Sequence, residues 1–130
     1  MIVVDASAIL EVLLNTPAGA RVWRRLMRSR ESLHAPHLLD VEVAQVLRRY
    51  ALGGELAPSR AVETLQSFLE IPITRYPHEP LLPRIWELRH NLTAYDGAYL
   101  SLAELLNAPL LTRDATFASV MDHTAVVELI

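Results

Sequence analysis

Four acidic side chains could do chemistry together, although they lie far apart in the chain. They are Asp5, Glu42, Asp96 and Asp114. Asp5 ends the apolar run 1–4, and Asp114 closely follows the apolar run 109–112, so both have the position of residues that follow buried strands. Ligands of an open parallel sheet bind beyond the carboxyl ends of its strands. If these two strands are parallel neighbours, Asp5 and Asp114 share one edge of the sheet.

A group of carboxylates without matching cations is the usual ligand set of Mg²⁺ or Mn²⁺. Without a cation such acids repel one another and their pKa values rise. Hydrolysis of a phosphodiester needs an activated water and stabilisation of charge on the phosphate, and divalent ions supply both. All four acids are therefore predicted catalytic residues. Asp5 and Asp96 are expected to contact the metal most directly, with Asp114 and Glu42 binding a second ion or orienting water.

Each acid also has a structural interpretation. Asp5 and Asp114 could cap the helices that follow them. Asp96 could be the acid of a capping box at 93–96, and Glu42 could be solvated at the edge of an apolar helical stripe. Taken one at a time, these interpretations compete well with a catalytic role. Only the joint pattern favours a metal site.

Other polar residues are predicted to support the acids. The hydroxyls of Ser7 and Thr112 could hydrogen-bond to the carboxylates. Arg49 follows Glu42 by seven residues, two helical turns along nearly the same face, and is the first candidate for contact with a substrate phosphate. Arg113, beside Asp114, is the second. A solvated helix face is the alternative for the arginines as a group.

Composition limits the possible classes. The 130 residues are 52% hydrophobic and contain no cysteine, which excludes disulfides and a cysteine nucleophile. All 12 basic residues are arginine, which excludes mechanisms that need a lysine. The five histidines show no metal-ligand spacing and are interpreted as surface or loop residues, whereas Trp23 and Trp86 are assigned to core or dimer packing. We expect a single domain over 1–130, no membrane segment and a cytoplasmic location.

Alternating patterns predict the elements that position these residues. The predicted strands are Ile2–Val4, Leu33–Ala35, Ile71–Arg75, Leu110–Thr112 and Ala125–Leu129. The predicted helices are Ala8–Leu14 capped by Ser7, one from Thr16-Pro17 to about residue 29, Leu38–Leu52, Pro58–Leu69, Pro80–Leu92 and one from the capping box at 93–96 to Leu106. The alternation predicts an α/β fold with a mostly parallel sheet of four or five strands sandwiched by helices.

Four segments, in order, resemble the motifs of PIN-domain nucleases, and most closely the VapC-type toxins of bacterial and archaeal toxin–antitoxin pairs. They are Ile2-Val3-Val4-Asp5-Ala6-Ser7-Ala8, Leu39-Asp40-Val41-Glu42-Val43 with Leu47-Arg48-Arg49, Thr93-Ala94-Tyr95-Asp96 with Ala98-Tyr99-Leu100 and Leu102-Ala103, and Leu110-Leu111-Thr112-Arg113-Asp114. The match extends from Ile2 to Asp114. Each motif is weak alone, and all four together are specific.

The resemblance implies a PIN-like three-layer sandwich and a magnesium-dependent endoribonuclease that acts on RNA. It also implies a cognate antitoxin and a homodimer. By motif, the site maps to the same four acids, with Asp5, Asp96 and Asp114 as metal ligands and Ser7 and Thr112 as supporting residues. The sequence departs from the family at Gly97, where alanine or cysteine is more common. Glycine there costs a helix about 1 kcal/mol relative to alanine.

Rival functions fit the sequence less well. A receiver domain would need a late lysine, and the chain has none. A haloacid-dehalogenase-type phosphatase would need an aspartate at the position of Ser7. A non-catalytic PIN-like binding or regulatory module is the remaining alternative, against which the retention of all four acids argues.

Overall fold

The computed structural model describes residues 1–130, apart from the side chain of Ser29. The described residues form five strands: β1 (Ile2–Val4), β2 (Leu33–Pro36), β3 (Ile73–Tyr76), β4 (Leu110–Thr112) and β5 (Val127–Leu129). They also form six α-helices: α1 (Ala6–Leu13), α2 (Pro17–Ser29), α3 (Leu38–Leu52), α4 (Pro58–Glu70), α5 (Leu82–Glu87) and α6 (Ala94–Leu106). Two short 3-10 turns cover Glu79–Leu81 and Ala115–Ser119.

The five strands form one parallel sheet in the order β3-β2-β1-β4-β5. The central strand is β1, in which Val3 pairs with His34 of β2 on one side and with Leu110 of β4 on the other. The condition set out for the sequence is met, because β1 and β4 are parallel neighbours. The carboxyl ends of both strands therefore meet at one edge, where Asp5 and Asp114 follow them.

Helices flank this sheet as predicted for a three-layer α/β sandwich. Helices α1 to α4 pack with one another, whereas α5 packs against α6, which lies on β1, β2 and β4. The three residues of β1 are fully buried, and so are Leu110 and Leu111 of β4. Strands that are buried on both faces need continuous apolar runs, and these runs are why β1 and β4 could be predicted from the sequence.

The first two helices begin at side-chain caps. The α1 cap is Asp5, whose carboxylate accepts the Ala8 N–H, so the prediction of Ser7 as the cap was wrong by two residues. The α2 cap is Thr16, followed by Pro17, as predicted. Gly19 lets α2 approach α1 closely, because a Cβ there would lie 2.1 Å from the Glu11 carbonyl oxygen.

The start of α3, the helix that carries Glu42, is held by the segment around β3. Its bounds, Leu38–Leu52, are those predicted. Its own N-cap residue, His37, makes no side-chain capping bond, and Nε2 of His78 instead accepts the Leu38 N–H at 2.9 Å. Asp40, in the first turn, pairs with Arg75 at 2.7 Å. The segment from Arg75 to His78 thus fixes the first turn of α3.

The predicted helix over Pro80–Leu92 is shorter in the structure. A 3-10 turn precedes α5, which ends at Glu87, and Leu88–Leu92 forms tight turns. Leu81, Ile85, Leu88 and Leu92 are all buried at helical spacing. The spacing of buried residues therefore stays helical beyond the end of α5. Because the sequence shows only this spacing, it predicted a longer helix.

Three side chains lie where the sequence did not place them. Trp23 and Trp86 are 50% and 68% exposed, so they are not in the core, and packing in a dimer stays a prediction for them. His34 is buried on β2, where it hydrogen-bonds to the hydroxyls of Ser32 and Tyr76, so it is not a surface residue. Within the described residues, no helix has the length and hydrophobicity needed to cross a bilayer.

Candidate active site

Asp5 is the most buried of the four acids and is 5% exposed. It lies between the end of β1 and the start of α1, and both of its oxygens are engaged. The Ser7 hydroxyl donates to Oδ1 at 2.7 Å, the Ala8 N–H donates to the same oxygen at 3.0 Å, and the Thr112 hydroxyl donates to Oδ2 at 2.5 Å. Burial raises the pKa of Asp5, whereas the bonds from Thr112, Ser7 and Ala8 lower it and the charge of Asp96 raises it further.

Ser7 and Thr112 join the ends of β1 and β4 around this carboxylate. The Ser7 oxygen accepts the Arg113 N–H at 2.9 Å, and the Thr112 oxygen accepts the Asp114 N–H at 2.9 Å. Each hydroxyl therefore donates to Asp5 while its oxygen accepts a backbone N–H from the segment that leads to Asp114. The hydrogen bonds expected from these two residues are present.

Asp96 lies in the first turn of α6, where Thr93 is the N-cap. The Thr93 hydroxyl accepts the Asp96 N–H at 3.1 Å, as the capping-box pattern predicts. The carboxyl is half-buried. Burial raises the pKa of Asp96, the nearby charge of Asp114 raises it further, and the Thr93 hydroxyl lowers it.

Glu42 lies on the second turn of α3 and is not a solvated face residue. It is partly buried, and the Tyr99 hydroxyl donates to its Oε1 at 2.6 Å. Burial raises the pKa of Glu42, the bond from Tyr99 lowers it, and the charges of Asp96 and Asp5 raise it. The charges of two other acids thus act on Glu42.

Asp114 follows β4 and caps the short turn Ala115–Ser119 by accepting the Thr116 N–H at 2.9 Å. The structural role considered for it is therefore present, but its charge also acts on Asp96. Electrostatic interactions link the four acids in a series from Glu42 through Asp5 and Asp96 to Asp114. We call these four residues the acidic cluster.

The acidic cluster suits a hard divalent cation by its donor chemistry. All of its ligand atoms are carboxylate oxygens, and the charges of its members raise the pKa values of Asp5, Glu42 and Asp96. A bound cation would relieve this repulsion. Among the described residues, no three acidic or histidine side chains converge so tightly that they form a metal-binding group without rearrangement. Magnesium fits such a looser set, because it keeps several waters and needs few protein ligands.

Comparison with known proteins identifies the family. The PIN domain family matches residues 2–122 of the chain. The chain is 42% identical to Ribonuclease VapC12 of Mycobacterium tuberculosis over 130 residues, which cover 100% of this chain and 99% of the relative. The chain belongs to the VapC-type PIN-domain family. It is also 46% identical over 114 residues to Ribonuclease VapC9 of the same species, covering 88% of this chain and 86% of the relative.

Solved structures agree with this fold. VapBC2 from Rickettsia felis, solved with a DNA fragment from its promoter, superposes with a TM-score of 0.75 at 14% identity, covering 99% of this chain and 98% of that one. FitAcB from Neisseria gonorrhoeae gives a TM-score of 0.66 at 19% identity, covering 98% and 96%. The three-layer architecture of this VapC-type PIN domain is thus that of its structural neighbours.

Tyr99 is a site residue that the sequence did not single out. It is 1% exposed, and the neighbouring charge and hydrogen bond of Glu42 add to burial in raising the pKa of its hydroxyl. A signal was present in the sequence, because Tyr99 follows Asp96 by three residues and therefore lies on the same face of α6. Its partner, Glu42, is 57 residues away, and no local pattern connects the two.

The two candidate arginines are placed differently in this VapC-type domain. Arg49 is exposed on α3, with its guanidinium 5.6 Å from the centre of the Tyr50 ring, and it lines a groove that also contains Ser7 and Glu42. Arg113 donates to the Ile130 carbonyl oxygen at 2.5 Å and lies 3.7 Å from Glu11. The structure therefore places Arg49 beside the acidic cluster, whereas the guanidinium of Arg113 is engaged elsewhere.

Proposed function

We propose that this chain is a divalent-metal-dependent endoribonuclease that hydrolyses RNA phosphodiester bonds as the toxin of a toxin–antitoxin pair. The position of Asp5 and Asp114 after the adjacent parallel strands β1 and β4, together with the charge interactions that link the four acids, supports this proposal. The matched relatives are named ribonucleases, which supports RNA as the substrate class. Structural neighbours include a toxin–antitoxin complex from Klebsiella pneumoniae, which supports a protein antitoxin.

The metal site would be formed by Asp5, Asp96 and Asp114, with Mg²⁺ or Mn²⁺ as the ion. When bound, the ion would activate water and neutralise charge on the phosphate oxygens. Ser7 and Thr112 hold the Asp5 carboxylate in one orientation before any ion arrives. Such preorganisation by surrounding hydrogen bonds is typical of metal-ligating carboxylates.

Glu42 is the proposed general base. Tyr99 fixes Oε1 of Glu42 at 2.6 Å, and among the described residues no hydrogen bond reaches Oε2. Oε2 would accept a proton from the attacking water. Burial raises the pKa of Glu42, and the neighbouring acids raise it further against the lowering effect of the Tyr99 bond. A raised pKa makes the carboxylate a better proton acceptor. Arg49 and Arg113 are the proposed contacts for substrate phosphate, and the engaged guanidinium of Arg113 makes Arg49 the stronger candidate.

The proposed partners are a cognate antitoxin and a second copy of the chain in the cytoplasm. An antitoxin segment that places an arginine among the carboxylates would supply the positive charge otherwise given by the metal. Exposed apolar side chains on several helices, including Val41, Leu69 and Trp86, are available for burial between subunits. Sedimentation of the purified chain tests the homodimer.

Cleavage of single-stranded RNA by the purified chain tests the activity. We expect cleavage with Mg²⁺ or Mn²⁺, loss of cleavage in EDTA, and recovery when metal is restored. Asp5→Asn should abolish cleavage while it keeps the α1 cap, since asparagine caps helices as well as aspartate does. Undiminished cleavage by metal-stripped protein would contradict the mechanism. RNA binding without any cleavage would favour the non-catalytic module.

A growth assay tests the toxin assignment separately. Expression of the chain should inhibit growth, and co-expression of a small adjacent gene that encodes a DNA-binding protein should relieve the inhibition. The Asp5→Asn variant is the control and should be non-toxic alone. Equal toxicity with and without the adjacent gene would count against that pairing.

A further inference from the structure

A groove of about 630 Å³ opens beside the acidic cluster, between α1 and α3. Ser7 and Glu42 line it, so it is continuous with the proposed catalytic site. Tyr95, which directly precedes Asp96 at the start of α6, lines it as well. The volume lies within the range of ordinary ligand sites, about 300–1,000 Å³.

The α3 wall of this groove is partly apolar, with Leu38, Val41 and Val46, and it also carries a row of polar groups that leads away from the acidic cluster. Glu42, Gln45 and Arg49 follow one another at intervals of three and four residues, so they lie on one face of the helix. The Cα of Arg49 is about 10 Å further along the axis than that of Glu42. Arg49 is therefore placed to contact a phosphate next to the one that would be cleaved.

Two tyrosine rings line the same groove. Tyr95 is 63% exposed even though it stands beside buried residues of α6. The Tyr50 ring carries the guanidinium of Arg49 at 5.6 Å, which holds that cation at the groove. Exposed aromatic rings beside a cation are the usual means of binding unpaired nucleotides, because every base has a face that can stack.

The negative charge of Glu11 on the α1 wall is partly offset by its neighbours. Glu11 of α1 lies on that wall, but it already accepts a hydrogen bond from Thr16 and lies 3.7 Å from Arg113. Arg49 on the α3 wall is exposed. The guanidinium of Arg49, which faces the groove, is thus complementary to a phosphate.

We propose that this groove binds the nucleotide that flanks the cleaved bond in a single-stranded RNA. Its base stacks on Tyr95, its phosphate contacts Arg49, and the Gln45 amide hydrogen-bonds to the edge of the base. The inference rests on the proposed ribonuclease function and adds to it the residues that select substrate. Tight binding of RNA would then require an unpaired nucleotide beside the cleaved bond.

Binding is tested first without metal, so that RNA stays intact. The probe is a six-nucleotide single-stranded RNA that contains one 2-aminopurine, whose fluorescence is quenched on stacking. With EDTA present, Tyr95→Ala should weaken binding roughly tenfold and abolish the quenching, because base–aromatic stacking contributes about 1–3 kcal/mol. Tyr95→Phe keeps the ring and should restore both. Leu105→Ala truncates a side chain of similar exposure on the same helix but outside the groove, and it should change neither.

Cleavage with metal provides a second measurement. Tyr95→Ala should raise KM about tenfold and leave kcat within about threefold, because stacking is a ground-state contact made away from the reacting phosphate. A substrate with an abasic site at the flanking position should show the same loss with wild-type protein. Combining the abasic substrate with Tyr95→Ala should add no further loss.

Several results would overturn the inference. Unchanged RNA affinity of Tyr95→Ala, with unchanged thermal stability, removes Tyr95 from substrate binding. If that variant binds RNA normally but is no longer inhibited by the cognate antitoxin, the groove binds protein instead. The proposed function can fail independently of this inference. Wild-type protein that binds the probe but never cleaves it with metal would contradict the nuclease function. The affinity of Tyr95→Ala would still show whether the groove binds RNA.

Discussion

The hydroxyl of Tyr99 on α6 donates a 2.6 Å hydrogen bond to Oε1 of Glu42 on α3. This bond spans the acidic cluster and fixes one oxygen of a carboxylate that the charges of Asp96 and Asp5 disfavour. A buried phenol thus orients a carboxylate whose pKa burial and neighbouring charges raise.

Tyr99→Phe should lower activity by shifting its pH dependence. The Tyr99 bond lowers the pKa of Glu42, so its loss raises that pKa. If the carboxylate is the active form, the acidic limb of the kcat profile should move to higher pH, and stability should fall by about 1 kcal/mol. Tyr76→Phe, which removes a hydroxyl bonded to His34, is the control and should lower stability without moving the profile.

Glu42→Gln should make the metal-free protein more stable. Glutamine keeps the helix propensity and can still accept the Tyr99 bond, but it removes a charge that burial and neighbouring acids disfavour. Thermal melts in EDTA should show a gain above the 0.5 kcal/mol or so that is typical of surface changes. The stabilisation by added Mn²⁺ should shrink, and cleavage should fall sharply. A metal-induced shift and an activity that both match wild type would remove Glu42 from the site.

Metal-free wild-type protein should become more stable on mild acidification. The pKa values of Asp5, Glu42 and Asp96 are raised in the fold, chiefly by burial. The folded state therefore binds more protons than the unfolded state, and stability falls as pH rises from about 4 through the folded values. Melts in EDTA from pH 5 to 8 measure this slope, which Asp5→Asn should reduce. A slope of the opposite sign would mean that the acids are stabilised as anions.

Gly97→Ala should stabilise the protein. A Cβ at Gly97 would meet Ile85 Cγ2 at 3.4 Å, an ordinary contact, so alanine brings its helix propensity without a clash. We expect a gain of about 0.5–1 kcal/mol and undiminished cleavage. Gly19→Ala is the matched contrast, because its Cβ would lie 2.1 Å from the Glu11 carbonyl oxygen. Gly19→Ala should be destabilised. Equal melting temperatures for the two variants would contradict the difference in packing around Gly97 and Gly19.

His78→Ala should loosen the first turn of α3. Nε2 of His78 accepts the Leu38 N–H, and Glu42 lies one turn further on. Loss of a helix cap costs about 0.5–2 kcal/mol, and we expect a fall in kcat with it. His78→Gln, which offers another acceptor, should recover part of both. His90→Ala, at an exposed position, is the control.

The sequence was sufficient where local patterns decide the structure. The bounds of α3 follow from its apolar stripe and the glycines that end it, and two apolar runs predicted the buried strands β1 and β4. The capping box placed Asp96 in the first turn of α6. The rule for the carboxyl ends of parallel strands accounts for the positions of Asp5 and Asp114, whereas Glu42 and Asp96 were assigned from their motifs.

The contacts that the sequence could not provide are long-range side-chain pairs. Tyr99 with Glu42, and His78 with Leu38, join residues 57 and 40 positions apart, and no local pattern connects the two members of either pair. His34 lies in a predicted strand but was interpreted as a surface or loop residue, because polar side chains are rarely buried; two hydroxyls satisfy its ring nitrogens. Such tertiary partners decide burial at individual positions, and the order of the outer strands depends on them too.

The central position of β1 controls when the acidic cluster can form during synthesis. β1 is among the first segments made, yet β4 completes one of its sides, and Thr112 completes the hydrogen bonding of Asp5 across a separation of 107 residues. At a translation rate of about 5–20 residues per second, roughly 5–20 s pass between the two residues. The nascent chain therefore carries the Asp5 carboxylate without its full set of hydrogen bonds until β4 has been made, and the acidic cluster can form only after most of the sheet has been synthesised.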